Sequence, residues 1–329
     1  MLKKEEFSEL QTDMVQNILI LGANGYIGGT VCRRFAETKD FNVLALIRPG
    51  SQAKEIEPFC KKIICSEKSQ FSSEEIQKII RQQNIKTIIN LAWDLPAAST
   101  VEAQFAKDRL ALEAALTAAS ISSDIHVITT SGNFSLMTTS GGRITETPPP
   151  CGFVLPSYLS WVELLVKVNL LKDGLTEKYI SKGGNASIIY PGSVYGASPT
   201  RKGFWDFAIQ QFIIGQAYLG FKPFPQDFMT GWIHLEDLAE CYIAATRRHQ
   251  KGSHYLATGE NLSISQMANL FAETAGVKFD VPLFSNTDRV FFDDSHTRKL
   301  LQLEWKHQAV KQIKTWIDRI KDLGNYFLD

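Results

Sequence analysis

Apolar and polar positions follow two rhythms along the first half of the chain. Short apolar runs of strand length occupy 17–21, 42–47, 62–65, 87–91 and 126–130, and a further run at 186–190 extends the series. Between them, apolar residues recur with helical spacing over 26–37, 73–83, 100–119 and 158–171. Strand and helix in strict alternation predict a parallel sheet with helices on both faces. Thr147-Pro148-Pro149-Pro150 marks a loop before the helix that opens at Tyr158. Beyond residue 191 the rhythm breaks. Glycine, proline and aromatic residues crowd 203–231, and helical patterns return at 263–275 and 308–323.

The first junction is the most informative. Asn17-Ile18-Leu19-Ile20-Leu21 runs into Gly22-Ala23-Asn24-Gly25-Tyr26-Ile27-Gly28, placing glycines at every third position between a strand and a helix. The first glycine permits the tight turn, the second lets backbone approach a pyrophosphate, and the third lets the helix pack on the strand. A pyrophosphate then meets the unpaired N–H groups and positive end of the helix dipole. The expected fold is an α/β, doubly wound parallel sheet of Rossmann type over 14–190. A smaller, irregular C-terminal lobe, mainly 191–329, covers the strand ends, binds substrate and is free to return segments to the sheet. In such sheets the ligand lies beyond the carboxyl ends of the strands.

The second strand ends in Arg48-Pro49-Gly50-Ser51, about 20 residues past the turn, where an acidic residue would bind a ribose 2′-hydroxyl. Arg48 can instead hold a 2′-phosphate with a charge-assisted fork, and Ser51 can add a hydroxyl donor. The cofactor expected is NADP(H). The bland alternative is an arginine that stacks on adenine or solvates the strand end.

Composition narrows the partners. The 329 residues carry 35 Lys+Arg and 35 Asp+Glu, a balance without the basic footprint of a nucleic-acid binder. No apolar run reaches membrane-spanning length, and the first residues, Met1-Leu2-Lys3-Lys4-Glu5-Glu6, lack the apolar core of a signal peptide. Five cysteines without a CxxC pair read as reduced thiols of a cytoplasmic protein with no metal site. A small molecule is the expected partner, and a homodimer is compatible with the chain.

With these residues in view, the chain resembles the extended short-chain dehydrogenase/reductase family, the NAD-dependent epimerase/dehydratase group. The glycine turn has that family's spacing. Asn90-Leu91-Ala92, continuing to Trp93, is similar to the segment lining the adenine and ribose channel. Thr129-Thr130-Ser131 is similar to the hydroxyl run after the fifth strand. Pro191-Gly192-Ser193-Val194-Tyr195-Gly196 resembles the segment beside the nicotinamide. Trp232 to Ala239 and Asp294 to Trp305 resemble two later family segments. The resemblance implies cofactor contacts from Gly22, Asn24, Gly25, Tyr26, Ile27, Gly28, Leu91, Ala92, Trp93, Thr129, Thr130, Pro191, Gly192 and Val194, beside Arg48 and Ser51.

It also implies a catalytic hydroxyl at Ser131 and a proton-handling tyrosine at Tyr158, each with a purely structural alternative. Relatives carry a lysine four residues after that tyrosine, and here the position is Val162. Lys167, about 900° further round the helix, falls on the opposite face. A tyrosine among apolar neighbours, with an ordinary pKa near 10, would donate a proton more readily than remove one. Asp94 after the fourth strand, beside Trp93, is a candidate acid/base; a helix cap is the alternative. His126, at a strand entry, and His234 read as structural.

Three functions compete. One is an NADP(H)-dependent oxidoreductase, biased to reduction, that acts on a carbonyl or alcohol of a small, apolar or aromatic molecule through Ser131 and Tyr158. Another is a non-redox isomerase, cyclase or dehydratase using Asp94 or Tyr158. The last is a non-catalytic dinucleotide-binding protein. A sugar-nucleotide epimerase is disfavoured by Val162.

Overall fold

The alternation closes into one parallel sheet. The computed structural model describes residues 15–93, 100–137, 142–147, 163–201, 203, 205–206, 224–225, 229–276, 283–284 and 290–323. In chain order the first half gives β1 (Gln16–Leu21), α1 (Tyr26–Thr38), β2 (Phe41–Ile47), β3 (Lys62–Cys65), α2 (Ser73–Gln83), β4 (Ile85–Asn90), α3 (Val101–Ala119), β5 (His126–Thr130) and β6 (Gly142–Ile144). Then come α4 (Glu163–Ser181), β7 (Ala186–Pro191), β8 (Ser193–Tyr195), β9 (Phe224–Pro225), β10 (Met229–His234) and α5 (Leu235–Arg248). The rest is β11 (His254–Ala257), β12 (Glu260–Ser263), α6 (Ile264–Ala275), β13 (Leu283–Phe284), β14 (Val290–Phe292), α7 (Ser295–Leu301) and α8 (Ala309–Leu323).

The main sheet has seven strands in the order β11-β7-β5-β4-β1-β2-β3, and every pair is parallel. Order reverses at β1, so β1–β2 and β4 diverge around a crevice at their carboxyl ends, the usual ligand position of a doubly wound sheet. Both sheet faces are covered, which is why the strands are continuous apolar runs. Ile18 and Ile20 of β1 point to one side, with Val31, Cys32 and Phe35 of α1 and Leu238 and Tyr242 of α5. Leu19 and Leu21 point to the other, with Ile76, Ile79 and Ile80 of α2 and Leu112 and Ala115 of α3.

Helix ends follow local chemistry. Ser72 and Thr100 accept from backbone N–H groups at the starts of α2 and α3. Ser263 and Gln266 form a reciprocal capping box on α6. One expected boundary is corrected. The pattern ended the fourth helix at 171, and α4 continues to Ser181. Its last turns bury polar side chains (Lys172, Thr176), so the apolar period on which the boundary rested disappears while the helix goes on.

Past residue 191 the chain works for both parts of the molecule. β11 joins the main sheet beside β7, and α5 packs across α1, where Arg33 and Arg34 pair with Glu236 and Glu240. β12, β10 and β8 form a second sheet. Trp232 and Tyr195 pack there with Met267 and Phe271 of α6 and Ile313, Trp316 and Ile317 of α8, a separate small core. Trp205, from the aromatic-rich stretch, packs at a tilt against Trp232 with ring centres 4.7 Å apart and belongs to this lobe core. Phe204, Phe207, Tyr218, Phe221 and Phe228 lie outside the described residues.

Candidate active site

The glycine turn is dictated by space. Gly22 has φ +81°, and a Cβ there would sit 2.6 Å from the Leu91 backbone carbon. The β1 and β4 turns therefore touch main chain to main chain, which brings Leu91 and Ala92 to the mouth of the turn. A Cβ on Gly28 would fall 2.1 Å from the Gly22 carbonyl oxygen, so the third glycine sets how closely α1 approaches β1. Gly25 is the N-cap of α1 and supplies no capping side chain. The first amides of the helix are thus left for an anion, and the cradle fits a dinucleotide pyrophosphate.

Beyond β2 the structure opens a cavity of about 570 Å³ lined by Asn24, Arg48, Ser51, Glu55, Thr200 and Arg201, among others. Arg48 and Ser51 thus face the same space as the glycine turn. Arg201 was not foreseen; it comes from the segment after β8. That segment is fastened over the turn. Thr200 Oγ1 donates to the Gly25 carbonyl at 2.7 Å, and Tyr26 donates its hydroxyl proton to the Gly196 carbonyl at 2.8 Å. A Cβ on Gly29 would strike Thr200, and one on Gly203 would strike the Tyr26 ring. The lining holds two guanidinium groups against one carboxylate, Glu55, leaving the rim net positive. Ile27 packs on the main core.

At the centre of the sheet, Thr129 donates to the Ser187 carbonyl and Thr130 to that of Asn90, while Thr130 also shares a 2.6 Å bond with Tyr242 of α5. The side chains alternate, so Ser131 turns to the opposite face, toward α4. Its backbone N–H donates to Ile189 (2.9 Å), and its hydroxyl donates to Asp173 Oδ2 at 2.9 Å. Burial raises the Asp173 carboxyl to about 7, against the opposing pull of Ser131 and Lys172. Lys172 is itself buried, which lowers its pKa, while Asp108 of α3 and Asp173 favour its charged form. Asn169, a turn earlier, lies close enough that a Cβ on Gly132 would sit 3.1 Å from its amide nitrogen. Asn169, Lys172, Asp173 and Thr176 recur at helical spacing, and that polar stripe was the signal in the sequence that could have found them.

Tyr158, Val162 and Asp94 lie outside the described residues. Lys167 is exposed and 2.5 Å from Glu163, away from Ser131. Trp93 is exposed at the end of β4. Pro191 closes β7. Gly192 donates to the Ala257 carbonyl, and its missing Cβ leaves room for the Gly231 carbonyl of β10. Val194 packs on the main core.

The two histidines do structural work. His126 is stacked on His249 and held neutral by burial, with its pKa lowered to about 3. His234 accepts from the Glu236 N–H at the start of α5 and stacks on His307, its pKa lowered to about 4, chiefly by burial. The late segments are clasps as well. Asp294 accepts from the backbone of Thr258 and Gly259 and from Trp305 Nε1. Asp237 accepts from the backbone of Lys306 and His307. Among the described residues no cluster suits a metal ion, and no helix is long and apolar enough to cross a membrane.

Residues 18–148 match the model of the NAD dependent epimerase/dehydratase family, so the resemblance carried by the glycine turn and the strand ends stands. None of the curated proteins compared with the chain matches it. Solved structures do. The chain is similar to UDP-glucose 4-epimerase with UDP-glucose from Thermotoga maritima (TM-score 0.70, 14% identity, covering 93% of this chain and 99% of that one). It is similar to dTDP-glucose 4,6-dehydratase from Bacillus anthracis in complex with NAD (TM-score 0.74, 12% identity, 94% and 98%). It is also similar to UDP-glucuronic acid 4-epimerase from Bacillus cereus with UDP-glucuronic acid and NAD (TM-score 0.68, 16% identity, 94% and 100%). At these identities the likeness is one of fold.

Proposed function

We propose that this epimerase/dehydratase-like chain is an NADP(H)-dependent oxidoreductase that reduces a carbonyl on a small molecule. The observation that carries the proposal is the cavity in which Arg48, Ser51 and Arg201 face the open end of the glycine turn. Two of the solved structures above, the dehydratase and the UDP-glucuronic acid 4-epimerase, hold NAD. In this chain the end of β2 offers a guanidinium instead of the acid that would bind a ribose 2′-hydroxyl. A 2′-phosphate beside two guanidinium groups gains charge-assisted bonds that the hydroxyl of a bare ribose does not make.

Bound there, the reduced nicotinamide supplies hydride. The protein's own tasks are to hold the substrate oxygen and to deliver a proton to it. Ser131, at the carboxyl end of β5, offers the hydroxyl that polarises the carbonyl, and Tyr158 is the partner implied by the resemblance. Thr129 and Thr130, already committed to the sheet, fix the strand end that carries Ser131. The direction is reductive, because a phenol without a lysine four residues on gives a proton more readily than it takes one.

The test follows product and NADPH together. NADPH consumed in step with product, with loss in Ser131→Ala and Tyr158→Phe, supports the reading. Product formed without NADPH consumption, and abolished by Asp94→Asn, replaces it with the non-redox alternative. A protein that binds NADPH and turns over nothing is a binding protein.

A further inference from the structure

Residues 196–201 join the two parts of the molecule at the cofactor cavity. β8 ends at Tyr195, fully buried in the lobe core, and the chain turns at Gly196 with φ +107°. A Cβ there would meet the His234 ring at 2.6 Å, so glycine alone fits. The chain then runs along the first turn of α1. Tyr26 donates to the Gly196 carbonyl at 2.8 Å, and burial, with Asp206 nearby, raises its pKa well above the ordinary value and keeps it a donor. Thr200 Oγ1 donates to the Gly25 carbonyl at 2.7 Å and faces Ser198 Oγ at 3.0 Å. The Gly25 carbonyl also accepts the Gly29 N–H, so the Thr200 bond is added to the helix and is no part of it. On the lobe side, Arg319 of α8 donates to the Ser198 carbonyl at 3.0 Å. The segment is thus anchored in the lobe, and two side-chain hydroxyls fasten it to the glycine turn. Thr200 and Arg201 line the cavity together with Asn24, Arg48 and Ser51.

We infer that Tyr26 and Thr200 are positioning residues that hold 196–201 as a strap over the dinucleotide site, and that they set how fast the cofactor exchanges rather than how tightly it binds. The inference rests on the reading of the glycine turn and its cavity as that site. Both hydroxyls are committed to backbone carbonyls, so each bond joins protein to protein and needs no ligand. They stabilise the closed strap equally with the site empty and with the site filled. Such a bond slows entry and release by the same factor and cancels from the dissociation constant, because it does not distinguish the two states. The phosphate contacts of Arg48 and Arg201 behave differently. They exist only with cofactor bound, so they act on release and on affinity. Opening the strap breaks the Tyr26 and Thr200 bonds and leaves the Arg319 bond intact, so the strap lifts with the lobe. Losing one neutral hydrogen bond should raise the opened population about threefold to tenfold.

Stopped-flow mixing of NADPH and of NADH with the intact protein, followed by nicotinamide fluorescence, tests this. Thr200→Val keeps the shape and removes the bond. Entry and release should both speed up about threefold to tenfold, with the dissociation constant unchanged. Thr200→Ser keeps the hydroxyl and should exchange at native rates. Tyr26→Phe should show the same joint rise, and it carries the test if Thr200→Val does not fold. Both cofactors should be affected by the same factor, because neither bond lies at the 2′-position. Arg201→Ala should instead speed the release of NADPH alone. Native exchange rates in both Thr200→Val and Tyr26→Phe, or faster release with unchanged entry, overturn the strap. The two readings fail separately. Faster exchange in both variants with equal native affinity for NADPH and NADH removes the NADP(H) preference and leaves the strap. A preference for NADPH with native exchange rates in both variants removes the strap alone. A protein that binds neither cofactor overturns both.

Discussion

At the β1–α1 turn the chain contributes backbone, while at the ends of β5 and β7 it contributes side chains. In the turn, Gly22, Gly25 and Gly28 define the site by what they lack, and the contacts that matter are main chain to main chain. Around Ser131 and Tyr190 of the adjoining β7, whose hydroxyl lies 3.1 Å from His254 Nδ1, the site is a set of hydroxyl, carboxyl and imidazole groups drawn from four elements. A backbone-built site tolerates almost any neighbouring sequence and almost no added atom. A side-chain-built site tolerates isosteric changes in shape and is sensitive to the loss of one proton. The two ends of the crevice should therefore fail in different ways.

The largest effect belongs to the turn. Gly28→Ala places a methyl group 2.1 Å from a backbone oxygen, so α1 must move off β1. Stability should fall by about 2–4 kcal/mol in denaturant unfolding, with NADPH binding lost as well. Tyr190→Phe, at the other end, should unfold within about 1 kcal/mol of the native protein. Equal losses would erase the distinction.

A smaller effect belongs to Asp173, through pH. Its folded pKa, about 7, is above the unfolded carboxylate value. The stabilising effect of its proton is therefore full below the unfolded pKa and is lost as pH rises through about 7. Asp173→Asn should remove this loss and gain ~1–2 kcal/mol on the native protein by pH 8, after allowance for the part of the residue that water reaches. His126 and His234 have the opposite sign. Their folded pKa values are depressed, so their contribution is lost as pH falls from the unfolded histidine value toward about 3 and 4. A pH series of unfolding curves checks both limbs, and an unchanged alkaline limb in Asp173→Asn contradicts the assignment.

The smallest effect sharpens the cofactor end itself. Arg201 reaches the cavity from the fastened segment after β8. Arg201→Ala should weaken NADPH by ~0.5–1 kcal/mol, less than loss of Arg48, and leave NADH unchanged. Comparable weakening of both cofactors would place Arg201 outside phosphate recognition.

The same contrast explains what the sequence disclosed. Strands 62–65 and 126–130 and helix 73–83 have the bounds their patterns predicted, because each buries an apolar face with a fixed period. The glycine turn was legible because glycine at those places has a steric meaning that needs no partner. Arg48 and Ser51 were legible through their distance from the turn. Asp173 and Lys172 left only a polar stripe at helical spacing, and such a stripe reads like a solvated face until its partners are known. Arg201 and Thr200 reach the site only after the chain has left the sheet and returned. The late segments around Asp237 and Asp294 were recognised as family features, and the structure shows the clasps that their spacing serves.

The central claim is that the end of β2 selects a 2′-phosphate. It is tested most directly by titrating NADPH and NADH against the native protein and Arg48→Ala at one ionic strength. The native protein should prefer NADPH, and Arg48→Ala should weaken NADPH by ~1.5–3 kcal/mol, roughly ten- to a hundredfold or somewhat more, with little change for NADH. Equal affinity of the native protein for the two cofactors would contradict the account.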